Sequence, residues 1–132
     1  MTTIGKFLLC GVFAAFVLMP APEARGQAQA AKEQFVYVLR VTPKFHDPSS
    51  WKEGEQSAVT RHFDRLSKAA RTGQVIHAGR TNEPLDKTFG LVIFEAANEA
   101  EARAFMEEDP AIQAGVMSGM LHRYSVALLR QP

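Results

Sequence analysis

Apolar residues first come as one unbroken run, Phe7 to Met19, and afterwards in short strand-like clusters and helix-spaced stripes. Phe35-Val36-Tyr37-Val38-Leu39-Arg40-Val41 is rich in β-branched and aromatic residues and stops ahead of Pro43, which predicts a first strand buried on both faces. Asp47-Pro48-Ser49-Ser50-Trp51-Lys52-Glu53 then stacks helix-start signals: Asp or Ser as N-cap, Pro in the first turn, and Ser50 with Glu53 in capping-box spacing. The spacing of Val59, Phe63, Leu66 and Ala70 forms one helical stripe, and Gly73 supplies a left-handed stop, so a helix is predicted over roughly 50–71.

Residues 75–80 and 89–94 predict two further strands joined by the turn-rich Asn82-Glu83-Pro84-Leu85-Asp86-Lys87. Asn98 with Glu101 repeats the capping-box spacing and opens a second helix to about Glu108; Asp109-Pro110 can cap a further turn, and a last strand is predicted over Leu121 to Arg130. The order β-α-β-β-α-β is the split βαβ, a ferredoxin-like α+β fold with an antiparallel four-stranded sheet and both helices on one face. The other face is left uncovered although the first and third strands carry apolar residues on both sides, and burial against a second copy resolves this. A homodimer is therefore expected.

The leading apolar run follows Lys6, precedes Pro20 and Pro22, and is shorter than the roughly 20 residues of a membrane span, which fits a secretory signal. Ala28-Gln29-Ala30 and Gly26-Gln27-Ala28 place cleavage near Gln29 or Ala31, with cleavage after Ala30 preferred. The expected organisation is a signal over 1–30, one domain over 31–132 and a periplasmic or secreted location, with no membrane association after cleavage; an uncleaved N-terminal anchor is the alternative. A lipid anchor at Cys10 is disfavoured by Leu9 before it and by the apolar run continuing after it.

About 100 residues after the leader make one domain rather than two. The whole chain has 15 Lys and Arg against 14 Asp and Glu; removing Lys6, Arg25 and Glu23 with the leader leaves 13 of each, with no basic-aromatic patch. No nucleic acid is expected as a partner. The only cysteine falls in the leader, so the domain has neither a disulfide nor a thiolate metal cluster available.

His62 lies in the first helix between Val59 and Leu66, on the inward stripe, either as a hydrogen-bonded core residue or as a catalytic or ligand-binding one. Asp109 before Pro110 fits a helix cap. Arg80 ends a strand, where its guanidinium could orient an anionic or hydroxylated ligand or pair with Glu83 or Asp86. His46, His77 and His122 show no metal-ligand spacing, and neither a nucleophile elbow nor a phosphate or dinucleotide loop occurs, so neither metal nor cofactor is expected. Chemistry in this chain would take the form of proton transfer by histidine with a carboxylate partner, typically worth about a hundred- to ten-thousandfold in rate.

Arg61-His62-Phe63-Asp64-Arg65-Leu66, then Gly73-Gln74-Val75-Ile76-His77-Ala78-Gly79-Arg80, then Asp109-Pro110-Ala111-Ile112-Gln113-Ala114-Gly115 together resemble the YCII-related family, over about Phe35 to Arg130. The resemblance implies a ferredoxin-like fold paired as a dimeric α+β barrel and a His–Asp site that falls on His62 and Asp109. Some relatives are lyases that remove chloride from a chlorinated hydroxyhydroquinone. Two departures keep substrate and location from carrying over: Ala78-Gly79-Arg80 stands where many members have Ala-Gly-Pro, and most members carry no export signal.

The leading expectation is an exported homodimeric enzyme with His62 as general acid/base, Asp109 orienting or charge-stabilising it, and Arg80 and His46 binding a small polar or aromatic molecule. The alternative is a noncatalytic ligand-binding or accessory domain. A third reading, a cofactor-free oxygenase or haem binder, has no support from the motifs.

Overall fold

Strand β1 (Glu33–Val41) has Phe35, Tyr37 and Leu39 buried on one face, with Val36, Val38 and Arg40 on the other, the alternation that a pleated strand imposes. It lies at the centre of an antiparallel sheet between β3 (Gly90–Ala96) and β4 (Met117–Arg123), and β2 (Val75–Arg80) pairs with β3, for a strand order β2-β3-β1-β4. The computed structural model describes Thr2 and residues 31–130; apart from Thr2, the expected signal segment, with Cys10 and the cleavage positions, lies outside the described residues.

The register aligns Phe35 with Phe94, Tyr37 with Val92 and Leu121, and Leu39 with Gly90 and Gly119 on the face beneath the helices. There α1 (Glu53–Arg71) supplies Leu66 and Ala69, and α2 (Glu99–Glu107) supplies Ala102 and Met106, to the same core. A one-turn helix α3 (Pro110–Gln113) leads into β4. The α+β, ferredoxin-like architecture is the one the pattern predicts. Among the described residues no helix is long and apolar enough to cross a membrane.

Three local expectations differ. Helix α1 starts at Glu53 rather than Ser50, because Asp47 accepts the Ser49 amide at 2.9 Å and closes a separate 3-10 turn over Pro48–Ser50. Trp51 and Lys52 are extended, and the Lys52 amide is caught by Glu55 at 3.0 Å, so the capping pair is Lys52 and Glu55 instead of Ser50 and Glu53. The buried stripe of α1 is Ala58, His62, Leu66 and Ala69; Phe63, expected inside, is 69 % exposed.

The third difference is β4, which runs Met117–Arg123 instead of 121–130. Gly115, at φ 69°, turns the chain out of α3, and pairing with β1 begins at once with Val41 against Met117. Pairing ends with Phe35 against Arg123, near the start of β1, and Leu128 and Leu129 beyond it are exposed.

A bulge in β2 matters for the site. Val75 pairs with Phe94 but His77 pairs with Ile93, so Ile76 is the extra residue. The strand's faces switch there: Ala78 and Arg80 share the helix-covered face with Val92 and Gly90, while His77 and Gly79 share the opposite face with Ile93 and Leu91.

Candidate functional site

His62 is 9 % exposed on the inward side of α1, and Asp109 is fully buried in the turn between α2 and α3. The sequence places Asp109 as N-cap of α3: its Oδ1 accepts the Ala111 amide at 2.9 Å, and Pro110 follows at the first helical position. The same carboxylate meets the imidazole, with His62 Nδ1 at 2.7 Å from Oδ2 and 2.9 Å from Oδ1. The Tyr37 hydroxyl donates to Oδ2 at 3.1 Å. Capping and pairing with histidine, two readings of Asp109 that the sequence sets apart, coexist on one carboxylate.

Burial on its own would raise the Asp109 carboxyl, but the hydrogen bond and charge of His62, the Ala111 amide and the Tyr37 hydroxyl outweigh it and hold the group below the usual carboxylate range. Tyr37 is driven the other way, far above its ordinary value, by burial first and then by the charge and hydrogen bond of Asp109. An ionised carboxylate accepts only, so the proton of this contact sits on Nδ1 and the ring keeps Nε2 for other chemistry; the tautomer follows from the network.

His62 also lines a cavity of about 640 Å³ between α1 and the β2–β3 side of the sheet. Its walls are largely apolar, with Phe63, Leu66 and Met117 among them, and Thr88 and Arg80 add polar groups. The exposure of Phe63 places it at the wall in contact with solvent. Arg80 reaches this wall because the β2 bulge turns it to the helix-covered face; among the described residues it forms no ion pair with Glu83 or Asp86.

The structure does not bring His46 to this site: its Nε2 lies 3.0 Å from the Val41 carbonyl, and it is not among the residues around the cavity. His77 borders the cavity, a position that its lack of metal-ligand spacing gave no reason to expect. Tyr37 was the residue that motif reasoning missed, although a tyrosine between buried Phe35 and Leu39 demands a partner for its hydroxyl. Glu108, at the end of α2, lies 3.6 Å from Arg65. Among the described residues no cluster of three or more His, Cys, Asp or Glu side chains could hold a metal ion.

The fold and the paired His and Asp define an α+β domain with a histidine–carboxylate pair at an apolar cavity. The model of the YCII-related domain matches residues 34–121, and the chain belongs to that family. Among solved structures it is similar to the 5-chloro-2-hydroxyhydroquinone dehydrochlorinase of Burkholderia phenoliruptrix AC1100 in complex with 2,5-dihydroxybenzoquinone, at 19 % identity and a TM-score of 0.47, covering 70 % of this chain and 93 % of that one. It is also similar to a protein of unknown function from Nitrosomonas europaea, at 14 % identity and a TM-score of 0.40, covering 78 % of this chain and 97 % of that one. No curated protein matches.

Proposed function

We propose that this chain is an exported, homodimeric acid/base enzyme in which His62 moves a proton on a small polar or aromatic molecule held in the cavity beside α1. The observation that carries this reading is the contact of His62 Nδ1 with both oxygens of buried Asp109, on a ring that also lines the cavity. Asp109 fixes the tautomer and stabilises the imidazolium formed when Nε2 takes a proton. Arg80, at the cavity wall, attracts an anionic or hydroxylated substituent, and the apolar walls seat the body of the substrate. Lyase-type elimination, in which a base removes a proton as a leaving group departs, needs no more apparatus than this.

Screening the 31–132 chain against small hydroxylated and halogenated aromatics, with His62→Gln in parallel, tests the reading. Turnover in the parent that falls at least about a hundredfold in the variant supports it. Turnover equal in both proteins defeats it.

A noncatalytic binding domain is the second reading, favoured by the complete engagement of Asp109 with a helix cap, a histidine and a tyrosine. It predicts ligand-induced NMR shifts at the cavity without conversion of any ligand. Export rests on the Phe7–Met19 run, and N-terminal sequencing of the chain recovered from an exporting host tests it.

A further inference from the structure

The Tyr37 hydroxyl is the one donor to Asp109 that comes from the sheet; His62 comes from α1, and the Ala111 amide belongs to α3, which Asp109 itself caps. We propose that Tyr37 is a positioning residue for the His62–Asp109 pair, its hydroxyl fixing the rotation of the carboxylate and moderating its basicity so that one tautomer of His62 persists. This inference rests on the reading of His62 as the acid/base group.

The geometry supports a dedicated role. Tyr37 is fully buried, its ring set edge-on to Phe94 at 5.6 Å and to Phe105 at 6.3 Å, so the hydroxyl has little freedom to point elsewhere. A carboxylate held only by the imidazole and one backbone amide could rotate about its Cβ–Cγ bond, exchanging which oxygen faces Nδ1; a third donor on Oδ2 opposes that rotation. Sharing Oδ2 between two donors also spreads the negative charge and favours the ionised carboxylate, an acceptor that keeps the shared proton on Nδ1. A phenylalanine at this position would fill the same space and leave both effects absent.

The charged and titratable groups around the trio are few. From α1, Arg65 acts on Tyr37 against the influence of Asp109. Its guanidinium lies 4.1 Å from the Phe105 ring centroid and its Nη2 lies 3.6 Å from Glu108, which follows α2. From the sheet comes Tyr37 itself, and α3 contributes only backbone.

The test is Tyr37→Phe in the 31–132 chain, read without any substrate. The Asp109 carboxyl carbon is followed by NMR across acid pH, and exchange with water is measured for the proton on His62 Nδ1. Positioning predicts that the Asp109 midpoint moves upward, towards the usual carboxylate range, and that the Nδ1 proton exchanges roughly tenfold faster, the equivalent of about one net hydrogen bond. A folded Tyr37→Phe with both quantities unchanged overturns the proposal, since packing alone is then all Tyr37 does.

Should the phenylalanine variant fail to fold, fluorotyrosine incorporated in the Tyr124→Phe background replaces it, because Tyr37 is then the only tyrosine. A more acidic hydroxyl donates more strongly and shifts the Asp109 midpoint downward; no movement overturns the proposal here too. The catalytic reading fails separately, through equal turnover of His62→Gln and the parent, and that outcome leaves the carboxyl measurement intact.

Discussion

His62 and Asp109 stand 47 positions apart in the chain, yet Nδ1 and Oδ2 lie 2.7 Å apart because α1 and the α2–α3 turn pack against the same face of the sheet. Neither residue is placed for the other alone. His62 occupies a core position of α1 with Ala58, Leu66 and Ala69, and Asp109 caps α3. The pair is a by-product of two local structural rules until the cavity is considered, where the ring meets space for a ligand.

Removing the Asp109 carboxylate strands a buried imidazole, a buried tyrosine hydroxyl and a helix-terminal amide at once. Asp109→Ala is expected to cost about 3 kcal/mol, within the usual range for breaking a buried pair. Asp109→Asn retains an acceptor for the Ala111 amide and is expected to cost less, the cap being worth roughly 1 kcal/mol. Urea titrations of both variants should give that order of midpoints, and an asparagine variant as unstable as the alanine one would contradict it.

The depressed Asp109 carboxyl also sets a pH dependence of stability. A group whose folded midpoint lies below its unfolded one, near 3.9, stabilises the fold fully above that value and loses its contribution as pH falls through the folded midpoint. The parent should therefore lose stability more steeply than Asp109→Asn below about pH 4. Denaturant midpoints between neutral and acid pH check this, and parallel curves for the two proteins would count against an ionised Asp109 in the fold.

Strand identity and order were legible because alternation and turn chemistry are local, as in β1 and the segment joining β2 to β3. Residue-level placement was less so. A period of 3.6 fits both the Val59, Phe63, Leu66, Ala70 stripe and the Ala58, His62, Leu66, Ala69 one, and only packing selects the second. The end of β4 depends on where β1 runs out, a non-local fact. Tyr37 and the β2 bulge, which together complete the site and aim Arg80, leave no motif in the sequence.

Phe63 and Leu66 lie three residues apart in α1, yet one is 69 % exposed and the other 6 %. Phe63→Ala is expected to change the melting temperature by no more than a few degrees, since little of its surface is removed from water in the chain described. Because its ring borders the cavity, the same substitution should weaken binding of an aromatic ligand severalfold. Thermal melts and a ligand titration separate the two effects; a large loss of stability with unchanged binding would place Phe63 at an interface instead.

At Gly119, opposite Leu39 in the sheet, an added Cβ would lie 2.7 Å from Ile112 Cδ1 and 2.9 Å from Met106 Sδ. Those atoms are at the ends of flexible side chains, so Gly119→Ala should cost only about 1 kcal/mol, whereas Gly119→Val should reach about 3 kcal/mol. Equal stability of the valine variant and the parent in urea would show more room between β4 and the helices than these distances allow.

The uncovered face of the sheet presents half-buried Val38, Leu91 and Ile93 beside Met120, which is 64 % exposed, while Val36 on the same face is already buried. A second copy applied to this face would remove that apolar surface from water, a stable pair burying roughly 800 Å² on each partner. Light scattering on the 31–132 chain is therefore expected to give the dimer mass at micromolar concentration. Met120→Glu would place a carboxylate in the apolar contact and should raise the dissociation constant at least about tenfold, while the helix-covered core, which Met120 does not enter, keeps its stability. A parent that remains monomeric at high micromolar concentration would remove the dimer from the account, leaving the His62–Asp109 geometry, which lies within a single chain, as it stands.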